Sequence, residues 1–271
     1  MSGGFEADPW DALRRFTPAR IALGRAGAAQ PTRDLLGFAM AHAQARDAVR
    51  IGLDAERVAA EIEGLGLEVV RIASAAPDRT TYLARPDLGR QLSAASDAAF
   101  AARDEEGRIS REGRFDLAIM VADGLSSPAI ERNAAPLLAA LRPWIAAAGW
   151  HLAPIALATQ ARVALGDAVA SRLGTEAVLV LIGERPGLSA PDSLGAYLTF
   201  GPKPDATTDA DRNCLSNIRP EGLSYERAAF QIAWLLDQAL RRRVTGIRLK
   251  DESDRLIVEG RLPEPALLPS G

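Results

Sequence analysis

Three apolar runs decide the fold: FDLAIMVADG at residues 115–124, HLAPIALAT at 151–159 and AVLVLIGE at 177–184. Each run has the length of a strand and lacks the alternation that marks a strand with one solvated face. Strands of this kind are buried on both faces, which is typical of a parallel sheet covered by helices. Amphipathic patterns at 130–148 and 167–173 separate the runs in a β-α-β rhythm. The sequence therefore predicts an α/β fold with a Rossmann-like, mostly parallel sheet flanked by helices.

The chain before these runs has a mainly helical pattern. Helices are predicted to begin near Thr32, after Asp54 and at Pro86, with one strand in LEVVRIAS at 67–74. A charged, glycine-containing stretch at 103–114 then separates this mainly helical pattern from the apolar runs that predict strands. We therefore expect two regions. They are a smaller, mainly helical N-terminal region at 1–105 and a Rossmann-like domain at 106–271.

Both ends of the chain carry weaker patterns. Trp10, Leu13 and Phe16 form an apolar stripe near the first residues, which suggests a segment that packs on its own domain, is mobile, or serves assembly or targeting. Toward the other end, AYLTF at 196–200 is a further strand candidate, and the pattern at 225–243 predicts a strongly amphipathic helix. The run RVTGIRLKDE is expected to close the fold as a strand or extended segment.

Composition excludes several classes of protein. The only cysteine is Cys214 and the only histidines are His42 and His151, so an internal disulfide is impossible and a His/Cys metal cage has too few ligands. The net charge of -3, with mixed signs along the chain, offers no basic surface for nucleic acid. No apolar run is long enough to span a membrane, and no signal core is evident, so we expect a cytosolic protein.

Candidate binding residues lie in loops that follow apolar runs, where open parallel sheets bind ligands. The loops are Asp123–Pro128, Gly183–Leu188 and Asn213–Gly222. Each also has a structural explanation: Ser126 is a good helix cap, and Glu184 with Arg185 suits a salt-bridged turn. Cys214 has no histidine near it in sequence and is predicted to be a packing thiol.

No catalytic constellation emerges from these residues. The sequence has no Ser-His-Asp or Cys-His arrangement, no close carboxylate pair, no phosphate-binding GxxxxGK[ST] loop and no GxGxxG fingerprint. We therefore predict no catalytic residue and no metal ligand in this chain. Binding loops without reactive groups suit a protein whose cofactor carries the chemistry.

At these residues the sequence closely resembles the small, or light, chain of ethanolamine ammonia-lyase. The resemblance spans nearly the whole chain. It rests on FTPARIALGRAGAAQPTRDLLGFAMAHAQARDAV, APDRTTYLARPDLGRQLS, DLAIMVADGLSSPAI, LIGERPGLSAPDSLGAYLT and RNCLSNIRPEGL.

The resemblance implies an adenosylcobalamin-dependent lyase that converts ethanolamine to acetaldehyde and ammonia by radical chemistry. It also implies a large TIM-barrel subunit as partner, which binds most of the ethanolamine, while the small subunit covers the other side of the corrin. The family's cobalamin contacts correspond to Val163 in QARVALGD, Glu184 in GERPG and Cys214 in RNCLSN. The cofactor is expected to bind base-on, because the DxHxxG signature of base-off cobalamin proteins is absent. The implied location is the bacterial cytoplasm or an ethanolamine-utilisation microcompartment.

Two rival hypotheses stay open at this point. The first is a stand-alone Rossmann-like enzyme acting on a nucleotide or sugar, which would need a reactive constellation near Asp123 and Glu184. The second is a non-catalytic, microcompartment-associated binding protein without cobalamin contact.

Overall fold

The computed structural model describes residues 8–17, 19–25, 28–105 and 115–265. Six strands and seven α-helices make up most of these ranges. The strands are β1 (Val69–Ala73), β2 (Leu117–Ala122), β3 (Ile155–Thr159), β4 (Ala177–Gly183), β5 (Leu194–Phe200) and β6 (Asn213–Ile218). The helices are α1 (Thr32–Arg50), α2 (Ala55–Gly64), α3 (Arg79–Ala84), α4 (Ala94–Glu105), α5 (Ser127–Ala148), α6 (Leu165–Leu173) and α7 (Tyr225–Arg242).

All six strands form one sheet, in the order β1-β3-β2-β4-β5-β6. The first four strands of this order are parallel, whereas β5 and β6 are antiparallel to their neighbours. The reversal has a simple cause: no helix lies between β4 and β5, and a parallel return needs a long crossover connection. The predicted α/β class is confirmed.

The central strand β2 explains why the apolar runs lack alternation. All six of its residues are buried. Leu117, Ile119 and Val121 pack in a core with α2, α5 and α7, while Ala118 and Met120 pack in a second core with α4 and α6. Helices therefore cover both faces of the sheet, as the sequence predicts.

Helix α5 begins directly after the loop that follows β2. The side chain of Ser126 caps it by accepting the N–H of Ala129 at 3.3 Å, and Gly149 ends it in the left-handed conformation. Its Trp144 packs against Phe230 of α7, with ring centroids 5.5 Å apart. The Ser126 cap thus fixes the start of α5 beside the end of β2, and the Trp144 contact fixes its other end against α7.

Three local predictions are wrong. The helix expected from Pro86 through Leu92 is only a 3-10 turn at Leu88–Arg90, because this segment turns back to bridge to β1. The run RVTGIRLKDE, expected as a strand or extended segment, instead contains a 3-10 turn at Gly246–Arg248. Residues 213–218, predicted as part of a loop, form strand β6, because their backbone pairs with β5.

The division at residue 105 stays a prediction, and it borders residues 106–114, which lie outside the described ranges. Strand β1 of the N-terminal region nevertheless pairs with β3 along its whole length. Sheet and core are thus shared across the proposed boundary.

The apolar stripe near the first residues is exposed. Residues Asp11–Phe16 form a 3-10 helix with no buried member, and Trp10 and Phe16 are 64% and 72% exposed. Leu35 and Phe38 of α1 are also exposed. None of the described helices is long and apolar enough to cross a membrane.

The loops after β2 and β4 touch through their backbones. Leu125 donates its N–H to the carbonyl of Gly183 at 3.0 Å. A Cβ atom on Gly183 would overlap the carbonyl oxygens of Ser126 and Asp123, and one on Gly124, at φ +54°, would overlap Gly183. Only glycine allows this approach.

We predict that Gly183→Ala lowers the free energy of unfolding by about 1–3 kcal/mol, because the added methyl forces the two loops apart. Chemical denaturation of the purified chain measures the change. Gly64→Ala is the matched control, since nothing lies within 4 Å of its added Cβ, and it should change stability by less than about 1 kcal/mol. Equal effects of the two substitutions would contradict the backbone contact.

Candidate functional site

A cavity of about 450 Å³ opens at the carboxyl ends of the parallel strands. The loops after β2, β3 and β4 line it, together with one residue of α3 and one of β5. Its lining comprises Tyr82, Gly124, Leu125, Arg162, Val163, Ile182, Gly183, Glu184, Arg185 and Tyr197. Ligands of open α/β sheets bind at this edge, so the cavity is the candidate site.

Val163 follows β3 and is half-buried in the cavity wall. The backbone on either side of it is fixed, because Leu165 donates to the carbonyl of Arg162 and Gly166 to that of Val163, both at 3.0 Å. The side chain therefore presents an apolar contact from a turn that already has its shape.

Glu184 follows β4 and is half-buried in the same cavity. Its carboxylate accepts the hydroxyl of Ser193 and, at 3.2 Å, the N–H of Asn217 in β6. Arg185 is exposed and is not its ion-pair partner, so the salt-bridged turn considered from the sequence is not what forms. Both contacts use the same oxygen, Oε2, and the carboxylate is held toward the strands.

Cys214 lies on strand β6, opposite Tyr197 of β5. Paired residues on adjacent strands project to the same face of a sheet, so the thiol lies on the face of the Tyr197 ring that lines the cavity. Burial, and then the neighbouring Cys214, raise the pKa of the Tyr197 hydroxyl. The thiol is exposed and lies 3.6 Å from the hydroxyl of Ser216, so the predicted packing role is wrong.

The structure places two of the three residues indicated by the resemblance at the carboxyl ends of the parallel strands, whereas Cys214 lies further back along the sheet, at the register of Val180. Val163 and Glu184 share the cavity directly, and Cys214 is joined to it through Tyr197.

Asp123, directly after β2, is buried with 1% exposure. Its carboxylate accepts the N–H groups of Gln160 at 2.9 Å and Ala161 at 3.1 Å, and it pairs with Arg79 at 3.1 Å. Burial raises the pKa of this carboxyl, whereas Arg79 and then the N–H groups oppose the rise. The group joins β2, the β3 loop and α3.

One wall of the cavity is formed by an aromatic side chain that the sequence did not predict. Tyr82 of α3 is fully buried and donates its hydroxyl to the carbonyl of Ala161 at 3.0 Å. The guanidinium groups of Arg79 and Arg162 lie over its ring, 4.9 and 4.3 Å from the centroid. Only Arg162 had a sequence signal, because it precedes Val163 in the loop after β3.

A second, larger cavity of about 760 Å³ adjoins the first, since Arg162 and Val163 line both. It lies between the segment around 86–92, the first turn of α6 and the loop at 204–212. Arg212 closes its wall through a buried, two-pronged ion pair with Asp167, at 2.8 and 2.6 Å.

The two histidines lie away from both cavities. His151 is exposed and pairs with Asp116, which precedes β2 and so lies at the opposite edge of the sheet. His42 stacks on Phe38 of α1. Within the described residues, no three His, Cys, Asp or Glu side chains lie close enough together to hold a metal ion.

Comparison with known proteins gives a consistent result. The family model "Ethanolamine ammonia-lyase light chain (EutC)" matches residues 7–250. The chain is 50% identical over 252 residues to the ethanolamine ammonia-lyase small subunit of Ralstonia nicotianae, covering 93% of this chain and 92% of the relative. It is 51% identical to that of Azotobacter vinelandii, with coverage of 93% and 92%, and 54% identical to that of Bradyrhizobium diazoefficiens, with coverage of 89% and 90%. By sequence along almost its whole length, the chain belongs to the ethanolamine ammonia-lyase light-chain family.

Proposed function

We propose that the chain is the cofactor-holding small subunit of an adenosylcobalamin-dependent ethanolamine ammonia-lyase. Membership of the light-chain family supports activity as a subunit of this lyase. The observation that carries the cofactor assignment is that Val163 and Glu184 line one cavity, which is also lined by Tyr197, the partner of Cys214 on the neighbouring strand. In this proposal the large subunit binds the ethanolamine, and the complex works in the bacterial cytoplasm or in a microcompartment.

The residues present suit a cobalamin. A corrin is a broad, largely apolar ring with amides at its edge, and its contacts should be apolar side chains with a few polar ones. Val163, Leu125, Ile182 and the Tyr197 ring supply apolar surface. Glu184 supplies acceptor oxygens for amide N–H groups. Neither histidine lies near the cavity, which supports base-on binding.

The chain's own residues would bind and orient the cofactor. When bound, the cofactor supplies the radical that removes hydrogen from ethanolamine. Glu184 would accept hydrogen bonds at the edge of the corrin, and Val163 would exclude water from its face. Cys214 would contact the ring from strand β6. Assembly with the large subunit would then bring the substrate site to the exposed side of the cofactor.

A stand-alone enzyme is the weaker candidate, for a specific reason. The two carboxylates nearest the cavity already have partners: Asp123 holds Arg79 and two N–H groups, and Glu184 holds Ser193 and Asn217. A general acid or base needs a carboxylate free to reach substrate. Asp123 could not do that work without losing a structural contact, and Glu184 has only its Oε1 oxygen left for a ligand.

Reconstitution tests the proposal. The chain is purified together with the large subunit, adenosylcobalamin and ethanolamine are added, and the corrin absorption spectrum and acetaldehyde production are followed. The expected result is corrin binding and turnover by the complex but not by the chain alone. Turnover by the chain alone would favour the stand-alone enzyme, and no corrin binding by the complex would reject the proposal.

We predict that Glu184→Ala weakens adenosylcobalamin binding to the complex by about 1–3 kcal/mol, because a hydrogen bond to a charged acceptor is lost. Titration of the corrin absorbance gives the dissociation constant. Glu176→Ala is the control, since Glu176 precedes the amino end of β4 and lies at the other edge of the sheet. Unchanged affinity for adenosylcobalamin in the Glu184 variant would contradict a contact between this residue and the cofactor.

The exposed thiol of Cys214 allows a test that does not depend on activity. Because it is the only cysteine, a thiol reagent should modify one group per chain, and Cys214→Ser should abolish the reaction. With cofactor at about ten times its dissociation constant, we predict that labelling of the complex slows about tenfold. The complex without cofactor is the reference. Equal rates with and without cofactor would contradict contact at Cys214.

A further inference from the structure

Arg162 differs from the other buried or half-buried arginines of the candidate site in having no carboxylate partner. Arg79 pairs with Asp123, and Arg212 pairs with Asp167. Among the described residues, Arg162 forms no ion pair. Its guanidinium donates one long hydrogen bond, from Nη2 to the carbonyl of Tyr82 at 3.4 Å. Its Nε is buried and has no hydrogen-bond partner.

Hydrogen bonds hold the backbone of Arg162 and of the two residues before it. Asp123 accepts the N–H groups of Gln160 and Ala161, and Ser74 donates its hydroxyl to the carbonyl of Gln160 at 2.6 Å. The N–H of Arg162 itself donates to the carbonyl of Gly89 at 2.8 Å. A loop held in this way has little freedom to move toward a protein carboxylate.

The side chain of Arg162 is also held in place by its neighbours. Its guanidinium stacks over Tyr82, 4.3 Å from the ring centroid. Gly89 packs so closely that a Cβ atom there would lie 2.8 Å from Cγ of Arg162 and 3.0 Å from the Tyr82 ring. Arginine stacked on an aromatic ring keeps its N–H groups directed in the plane of the guanidinium.

The position of Arg162 joins the two cavities, because it lines both the smaller one at Glu184 and the larger one beside α6. Arg90 also lines the larger cavity and forms no ion pair among the described residues. Asp205 and Asp209 face this cavity from the loop across it, and both are exposed. The two unpaired arginines therefore lie on one side of the cavity.

A half-buried guanidinium that lines a cavity and has no carboxylate partner is suited to an oxyanion such as a phosphate, because two of its N–H groups can donate to two phosphate oxygens. We propose that Arg162 binds the phosphodiester of the cofactor's nucleotide tail in the larger cavity, next to the corrin contact at Val163. This inference rests on the proposed cobalamin function. Tyr82 and Asp123 are then positioning residues, because they act on the ligand only through Arg162 and its loop.

The test compares two ligands of the complex with the large subunit. Adenosylcobalamin carries the phosphodiester and nucleotide base, whereas adenosylcobinamide lacks both. We expect Arg162→Ala to raise the dissociation constant for cobalamin about tenfold or more and to leave that for cobinamide unchanged. Titration of the corrin absorbance, with cobinamide also measured by competition, gives both constants.

Arg172→Ala is the matched control. It removes a guanidinium from the last turn of α6, where it forms a surface ion pair with Asp97, and should change neither constant. Arg162→Lys keeps the positive charge but lacks the planar guanidinium. It should therefore recover part of the cobalamin affinity that Arg162→Ala loses. Thermal melting of each chain checks that the variants are folded.

A second measurement does not depend on cobinamide. The ³¹P resonance of the cofactor should move on binding to the wild-type complex, and the displacement should shrink in Arg162→Ala. An unchanged displacement, equal loss of both ligands, or unchanged cobalamin affinity would overturn the role of Arg162 alone. Failure of the wild-type complex to bind either ligand would instead reject the proposed function.

Discussion

The buried carboxylate of Asp123 is the interaction on which the candidate site depends. It lies at the carboxyl end of the fully buried strand β2 and reaches both the β3 loop and α3. Leaving such a charge without partners in the protein interior would be very costly, so its hydrogen bonds to Gln160 and Ala161 and its pair with Arg79 must form together. Arg79 also donates to the carbonyl of Val49 at the end of α1. One charge thus orders segments that are far apart in sequence.

The same requirement accounts for the lack of reactive groups. In this edge of the sheet, polar side chains are used to hold loops: Ser126 caps α5 and donates to the carbonyl of Pro191, and Glu184 ties β4 to β6. A carboxylate that supports the fold has fewer free lone pairs for proton transfer. These polar side chains therefore hold the fold together, and in the proposed function the chemistry is supplied by the bound cofactor.

The sequence predicted the sheet well because burial on both faces leaves a strong local signal in β2, β3 and β4. It predicted the position of Val163 and Glu184 for the same reason, since each follows such a strand. Strand β6 was missed because its segment is polar and its burial pattern is irregular, with Ser216 and Asn217 both exposed, and only pairing with β5 makes it a strand. Tyr82 and Arg79 were missed because their role depends on the pairing of β1 with β3, a contact between distant segments.

The geometry also explains why a subunit of this kind would need a partner. Burial of the proposed contact residues is only partial: Val163 and Glu184 are half-buried, and Arg185 and Cys214 are exposed. Exposed apolar side chains are concentrated elsewhere, at Trp10, Phe16 and along α1. A subunit that contacts only one face of a flat ligand can hold it only weakly by itself. Half of the ligand's apolar area then stays in water. Covering that second face is the contribution that a larger partner would have to make.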